Sequence, residues 1–144
     1  MTDSSASPGV ELQLARSKRE LRRLSAAVER FAESQSLEPR IANALALALE
    51  EAVTNVVFYA FDDPPTDDDS IWLTIESRDG SIHAVVRDRG RPFDPTARAA
   101  NPLPDSLEDL EPGGLGIGII RGIVDRLDYR RENGFNRLDM EITL

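Results

Sequence analysis

Leu45-Ala-Leu-Ala-Leu-Glu-Glu-Ala-Val-Thr-Asn-Val-Val57 decides how the rest of this chain is read. The run is apolar and helical in character, yet it carries Glu50, Glu51 and Asn55. Projected at the helical period, Ile41, Leu45, Ala48, Leu49, Ala52, Val56 and Tyr59 share one face. Glu51 and Asn55, one turn apart, fall together on the border of that face, while Glu50 points elsewhere. A carboxylate and a carboxamide on the rim of a core stripe look into a cleft.

Working outward towards the N-terminus, Pro39 suits the first turn of this helix, which ends near Ala60. Before it, Ser17-Lys-Arg-Glu20 has the form of a capping box. A helix follows to Ser34, with Leu21, Leu24, Val28 and Phe31 at helical spacing. Val10-Glu-Leu-Gln-Leu14 alternates as a short strand does, and residues 1–9 form a small, polar, disordered tail.

Working towards the C-terminus, Asp62-Asp-Pro-Pro-Thr-Asp-Asp-Asp-Ser70 is a polar loop whose prolines stop the helix. Ile71–Glu76 and Ser81–Val86 read as strands joined around Asp79-Gly80, a tight-hairpin dipeptide. His83 falls in the second of them and reads as an ordinary strand residue. Arg87–Pro95 is too rich in Gly and Pro to extend that strand. Thr96–Pro112 reads as a loop with a helical turn, and a third helix runs from Ile117 to about Arg126. Leu127–Arg131 and Arg137–Leu144 then pair across Asn133-Gly134. Consecutive hairpins with intervening helices argue for a single domain over residues 10–144, an α+β two-layer sandwich. Its sheet is mostly antiparallel and its helices pack on one face.

Composition narrows the function classes. With 144 residues, no cysteine and one histidine, a disulfide framework, a thiolate metal site and a multi-histidine metal site are excluded. Acidic residues outnumber basic ones 26 to 17, for a net charge of −9, which argues against direct nucleic-acid binding. No apolar run approaches the length of a membrane span, and the N-terminus lacks the basic start and apolar core of a signal peptide, so a cytoplasmic protein is expected.

Three stretches carry chemistry. Gly113-Gly-Leu-Gly-Ile-Gly118 opens the third helix, where free backbone amides and the helix dipole attract an anion. It is not a P-loop, since Lys18 is the only lysine, and its spacing does not fit a dinucleotide fingerprint. Asp88-Arg-Gly-Arg-Pro-Phe-Asp94 follows a strand; Asp88, an acceptor only, suits an exocyclic amine such as that of adenine, and Gly90 keeps the wall flat. Glu51 and Asn55 are the third. Asn55 offers a neutral oxygen suited to Mg²⁺, and Glu51 is placed to accept a proton as a general base. Singly, each is also an ordinary structural feature: a packed helix start, a β-turn, a polar pair at a helix edge.

In order and spacing, Glu51-Ala-Val-Thr-Asn55, Asp88-Arg-Gly-Arg-Pro-Phe-Asp94 and Gly113-Gly-Leu-Gly-Ile-Gly118 resemble the nucleotide-binding boxes of the GHKL (Bergerat-fold) ATPase superfamily. The set looks most like its anti-sigma regulatory factor branch, small bacterial serine kinases. The resemblance covers roughly residues 10 to 144 and implies that family's sandwich of a mixed sheet with helices on one face. It implies ATP and Mg²⁺ as cofactors, with Asn55 holding Mg²⁺, Glu51 as catalytic base, Asp88 on the adenine amine and Gly90 beside the ring. Gly114, Gly116 and Gly118 would set amides at the phosphates, and residues 96–112 would form the ATP lid. The implied substrate is a serine or threonine of an anti-anti-sigma (STAS) protein; a sigma factor or other regulator is the competing partner, and a homodimer is common in the family.

Two departures stand out. Tyr59 and Ala60 occupy positions where the best-known members carry His and Gly, and Glu111-Pro112 stands where some carry a phosphate-contacting arginine. Phosphate charge then falls to Mg²⁺, helix amides and an arginine such as Arg98 or Arg121. A second reading therefore accompanies the kinase: a regulatory module that binds ATP and partners without phosphorylating them.

Overall fold

The computed structural model describes residues 9–61, 69–97 and 116–144. Five strands, β1 (Gly9–Ala15), β2 (Ser70–Arg78), β3 (Ser81–Asp88), β4 (Arg126–Glu132) and β5 (Phe135–Thr143), form one sheet in the order β1-β2-β3-β5-β4. All four ladders are antiparallel, so no parallel pair of a mixed sheet occurs among the described residues. Both predicted hairpins form. Asp79 and Asn133 each sit at φ 52°, followed by Gly80 and Gly134 at 79° and 82°. Two successive left-handed residues make the turn whose twist matches that of the flanking strands. Because β5 inserts between β3 and β4, the end of β3 faces the start of β5, and Asp88 pairs directly with Asn136.

Three helices, α1 (Leu21–Ser34), α2 (Pro39–Tyr59) and α3 (Gly116–Ile123), cover one face of this sheet. Pro39 stands in the first turn of α2 after an extended Glu38, where its missing N–H and fixed φ cost nothing. Leu45, Leu49, Ala52, Val53 and Val56 of α2 pack onto the inward rows Ile71/Leu73/Ile75, Ile82/Ala84/Val86 and Leu138/Met140/Ile142. Fully burying a side chain such as Leu49 stabilises by roughly 1.5–3 kcal/mol. By length and composition alone α2, at 21 residues, matches a membrane span, contrary to the sequence expectation. Its buried stripe against the sheet is that of a core helix.

Several boundaries differ from the pattern in the sequence. β3 continues through Arg87 to Asp88, because β2 and β5 flank it on both sides and supply hydrogen-bonding partners to its end. Gly9 belongs to β1 rather than to the tail. α3 ends at Ile123 instead of near Arg126, since Arg126 already pairs with Glu141. The capping box is split: Ser17 Oγ accepts from the Arg19 amide at 3.2 Å, but Glu20 Oε1 accepts from the Ala15 amide at 2.9 Å. Glu20 thus ties the helix entrance to the end of β1, and α1 is entered through a 3-10 turn, Lys18–Glu20. Residues 1–8, 62–68 and 98–115, which include most of the expected tail, the polar loop and nearly all of the expected lid, lie outside the described residues.

Candidate functional site

The strand–turn transition at Asp88 is the centre of the site. Asp88 is 2% exposed, the last residue of β3 on its inward row. Its Oδ1 accepts the Gly90 amide at 2.8 Å and Asn136 Nδ2 at 3.0 Å, which fixes the carboxylate plane. Burial pushes its carboxyl above the ordinary value; the hydrogen bonds from Asn136 and Gly90 and the charge of Arg131 pull the other way. One carboxylate is therefore held in a dry place by neutral donors.

Asn136 was not anticipated from the sequence, and it organises this corner. Nδ2 also donates to the Arg91 carbonyl at 2.8 Å. Its Oδ1 accepts from the Phe93 amide, the Tyr129 hydroxyl and Arg131 at 3.2, 2.5 and 3.2 Å. Arg131 in turn donates to the Gly90 carbonyl at 2.7 Å. The signal available in the sequence was parity: Asn136 shares the inward row of β5 with Leu138, Met140 and Ile142, a polar residue in an apolar register.

Gly90 has a packing reason of its own. A Cβ built there would lie 2.3 Å from the Ala60 carbonyl oxygen and 2.8 Å from Ala60 Cβ. The Arg91 amide donates to that same carbonyl at 2.8 Å, and Arg91 Nε donates to the Tyr59 carbonyl at 3.0 Å. The turn after β3 is thus clamped to the C-terminus of α2, with the Tyr59 ring stacked on Phe93 at 5.7 Å. The second aspartate of the motif, Asp94, caps its own turn by accepting from the Thr96 amide at 2.8 Å and its hydroxyl at 2.5 Å.

Asn55 faces Asp88 across a cavity of about 20 Å³, roughly one water molecule, which is also lined by Ala52, Val86, Phe93, Tyr129 and Asn136. Asn55 is 4% exposed, and its carboxamide has no hydrogen-bond partner among the described residues. A buried carboxamide left unsatisfied costs about 1–3 kcal/mol, so it calls for a ligand. Its neutral oxygen fits a hard cation or a water-bridged phosphate.

Glu51 does not line that cavity. It lies one turn N-terminal on α2, half-buried, and its carboxyl is pushed above the ordinary value by burial and by the neighbouring Glu50 charge. Glu50 itself is held from α1, accepting from Ser25 Oγ at 3.0 Å. A half-buried carboxylate of raised basicity is suited to accept a proton.

α3 begins at Gly116, one residue earlier than predicted, so Gly116 and Gly118 both belong to its first turn. This leaves their amides among those without an intrahelical acceptor. α3 packs beside α2. Arg121 donates to the Thr96 carbonyl, tying α3 to the segment after Asp94. Gly114, Arg98 and Glu111-Pro112 lie outside the described residues; of the expected lid, only Thr96 and Ala97 are described, in a 3-10 turn at Pro95–Ala97.

Residues 14–142 match the histidine kinase-like ATPase domain family. The chain is 34% identical to the serine/threonine-protein kinase BtrW of Bordetella bronchiseptica, over 70% of each chain. It is 32% identical to the anti-sigma F factor of Geobacillus stearothermophilus, over 58% of this chain and 56% of that one. Among solved structures, the RsbU and RsbW domains of Rv1364c from Mycobacterium tuberculosis match with a TM-score of 0.66 at 14% identity, covering 96% of this chain and 33% of that one, a likeness of fold. With its antiparallel sheet, its one-sided helical layer and this match along nearly its whole length, the chain belongs to the histidine kinase-like ATPase domain family, among relatives named as serine/threonine-protein kinases and anti-sigma factors.

Proposed function

We propose that this chain is a cytoplasmic, ATP- and Mg²⁺-dependent serine/threonine protein kinase that works by partner switching. It phosphorylates an anti-anti-sigma (STAS) protein and, in the alternative state, sequesters a sigma factor or similar regulator. The observation that carries the reading is the buried carboxamide of Asn55, without a hydrogen-bond partner among the described residues, lining one cavity with the fixed carboxylate of Asp88. A protein that used this corner only for packing gains nothing from an unsatisfied amide there.

Asp88 accepts from the adenine amine through Oδ2, because Asn136 and the Gly90 amide both donate to Oδ1 and leave the second oxygen free. Asn55 supplies one neutral oxygen to Mg²⁺, which when bound neutralises the phosphate charge that builds up during transfer. The first-turn amides of α3 at Gly116 and Gly118, with Gly114 before them, orient phosphate oxygens. Glu51 Oε would take the proton of the substrate hydroxyl as the hydroxyl oxygen bonds to the terminal phosphorus of ATP and the bond from that phosphorus to the bridging oxygen breaks, releasing ADP. The raised basicity of Glu51 supports that role.

Incubation with labelled ATP, Mg²⁺ and a STAS protein is the test. Label transfer to serine or threonine that is abolished by Glu51→Gln, with ATP affinity retained, is the expected result. Tight ATP binding without transfer to any STAS protein would instead establish the non-catalytic module, which the engagement of Arg121 by the Thr96 carbonyl favours.

A further inference from the structure

One cross-strand row on the helix-covered side of the sheet changes character midway. Leu14 of β1 faces Ile71 of β2, both buried; Ile71 faces Asp88 of β3, Asp88 faces Asn136 of β5, and Asn136 faces Arg131 of β4. An acid, a carboxamide and a base thus stand side by side on three adjacent strands. The other arginines of β4 alternate to the opposite side and pair with acids on their own strand, Arg126 with Asp128 at 3.0 Å and Arg130 with Glu132 at 3.9 Å. Arg131 shares the helix side with Leu127 and Tyr129, which pack against the core. It has no carboxylate at ion-pair distance among the described residues, and its side chain goes instead to two neutral oxygens.

Those two oxygens belong to the two residues that orient Asp88. Its Oδ1 accepts from Asn136 Nδ2 and from the Gly90 amide. Arg131 Nη1 donates to Asn136 Oδ1 at 3.2 Å and to the Gly90 carbonyl at 2.7 Å. One guanidinium nitrogen therefore grips, from behind, both residues that donate to one carboxylate oxygen. Along a chain of hydrogen bonds each donor polarises the next, so the guanidinium strengthens the Asn136 N–H that Asp88 receives. A direct arginine–aspartate pair tends to be bidentate and would occupy both carboxylate oxygens. The interposed carboxamide passes the charge on and consumes only Oδ1. That charge also opposes the upward push of burial on the Asp88 carboxyl.

We propose that Arg131 is a positioning residue for nucleotide recognition: held on Asn136 and Gly90, it fixes the Asp88 carboxylate with Oδ2 left as the acceptor for the ligand's amine. This role rests on the assignment of Asp88 to the adenine amine. The other side chains at this corner do not duplicate it. Tyr129 donates to the same Asn136 oxygen but carries no charge, and Asn55 lies across the cavity. Arg131 is exposed at the sheet edge, so its replacement leaves the core packing in place.

The test is a double-substitution cycle on the full chain, read by the midpoint of urea unfolding and by Mg²⁺-ATP affinity in calorimetry. Arg131→Gln keeps a donor and removes the charge, whereas Arg131→Lys keeps the charge. At neutral pH Arg131→Gln should lower the urea midpoint in the wild-type background and leave it nearly unchanged in the Asp88→Asn background, with circular dichroism unaltered. It should weaken ATP binding roughly tenfold, while Arg131→Lys stays within about threefold of wild type. An equal fall of the midpoint in both backgrounds, or ATP affinity kept by Arg131→Gln and lost in Arg131→Lys, would make Arg131 an ordinary structural hydrogen-bond donor and overturn the role. ATP affinity untouched by Arg131→Gln would overturn it too, with the assignment of Asp88 intact. A wild-type chain that shows the coupling in urea but binds no ATP would overturn the nucleotide assignment, and this role with it.

Discussion

Asn136 Nδ2 donates to Asp88 Oδ1 across 3.0 Å, from β5 to the residue directly opposite on β3. That bond is made by a neutral donor. An arginine in its place would pin the carboxylate with a full ion pair and compete with any amine brought to it; a carboxamide orients it and leaves its acceptor strength for a ligand. Arg131 stands one step back, on the Gly90 carbonyl and Asn136 Oδ1.

Asp88→Asn should therefore separate folding from binding. The new side-chain oxygen still accepts from Gly90 and Asn136, while the buried charge is gone. Because burial raises this carboxyl in the fold, its stabilising contribution is present below the ordinary value of 3.8 and is lost as pH rises through the folded-state value. The variant should melt at or above the wild-type temperature at neutral pH, with the difference shrinking as pH falls towards 4. Its ATP affinity should drop by roughly a hundredfold or more for loss of a charged acceptor. Retained affinity would remove Asp88 from the nucleotide site.

Asn136→Leu should do the reverse and cost stability. It strips partners from the Phe93 amide, the Arg91 carbonyl and Asp88 together. A loss of roughly 1–3 kcal/mol in a urea titration is expected, the cost of removing the buried hydrogen bond to Asp88. A melt within a degree or two of wild type would show that water replaces the side chain.

Asn55→Ala should leave stability unchanged or slightly raised, since it deletes a buried amide without a partner among the described residues. Mg²⁺-ATP binding measured by calorimetry should fall sharply. If stability instead drops by more than roughly 2 kcal/mol, Asn55 is a structural residue in the sense of the buried hydrogen-bonded amides it was distinguished from.

Gly90→Ala tests the clamp between the turn and α2. The added methyl would meet the Ala60 carbonyl at 2.3 Å, backbone that the Arg91 amide also uses. Overpacking of this kind costs typically about 1–3 kcal/mol, and loss of ATP binding should accompany it as Asp88 shifts. Pairing it with Ala60→Gly should restore part of the stability, because Ala60 Cβ is the second atom met.

If Glu51 is the general base proposed above, the pH–rate profile of phosphoryl transfer should report it. A general base acts in its deprotonated form, and burial together with Glu50 raises the pH at which that form appears. The acidic limb should fall above the ordinary carboxylate value of 4.5. Glu50→Gln should move the limb down. Glu51→Gln should reduce the rate by roughly 10²–10⁴-fold. A limb that ignores Glu50→Gln would assign the titration to another group.

Much of the fold could be read from local pattern. The stripe of α2, Asp79-Gly80 and Asn133-Gly134 are each short-range signals, and each forms as expected. Asn55 and Asp88 were singly visible as residue types out of place where they stood, a polar group on a core rim and an acid at a strand end, and it was the resemblance of the three motifs to a known family that brought them forward together. What the chain could not disclose was set by its longest-range pairing. Inserting β5 beside β3 extends β3 to Asp88, places Asn136 opposite it and turns an inward-row asparagine into the anchor of the site. The same is true of Gly90, whose need to be glycine comes from Ala60 rather than from its own turn. Local propensity acts over a few residues and marks the elements and odd side chains; which of those side chains meet, and which are left buried without a partner, is decided only when distant strands close into one sheet.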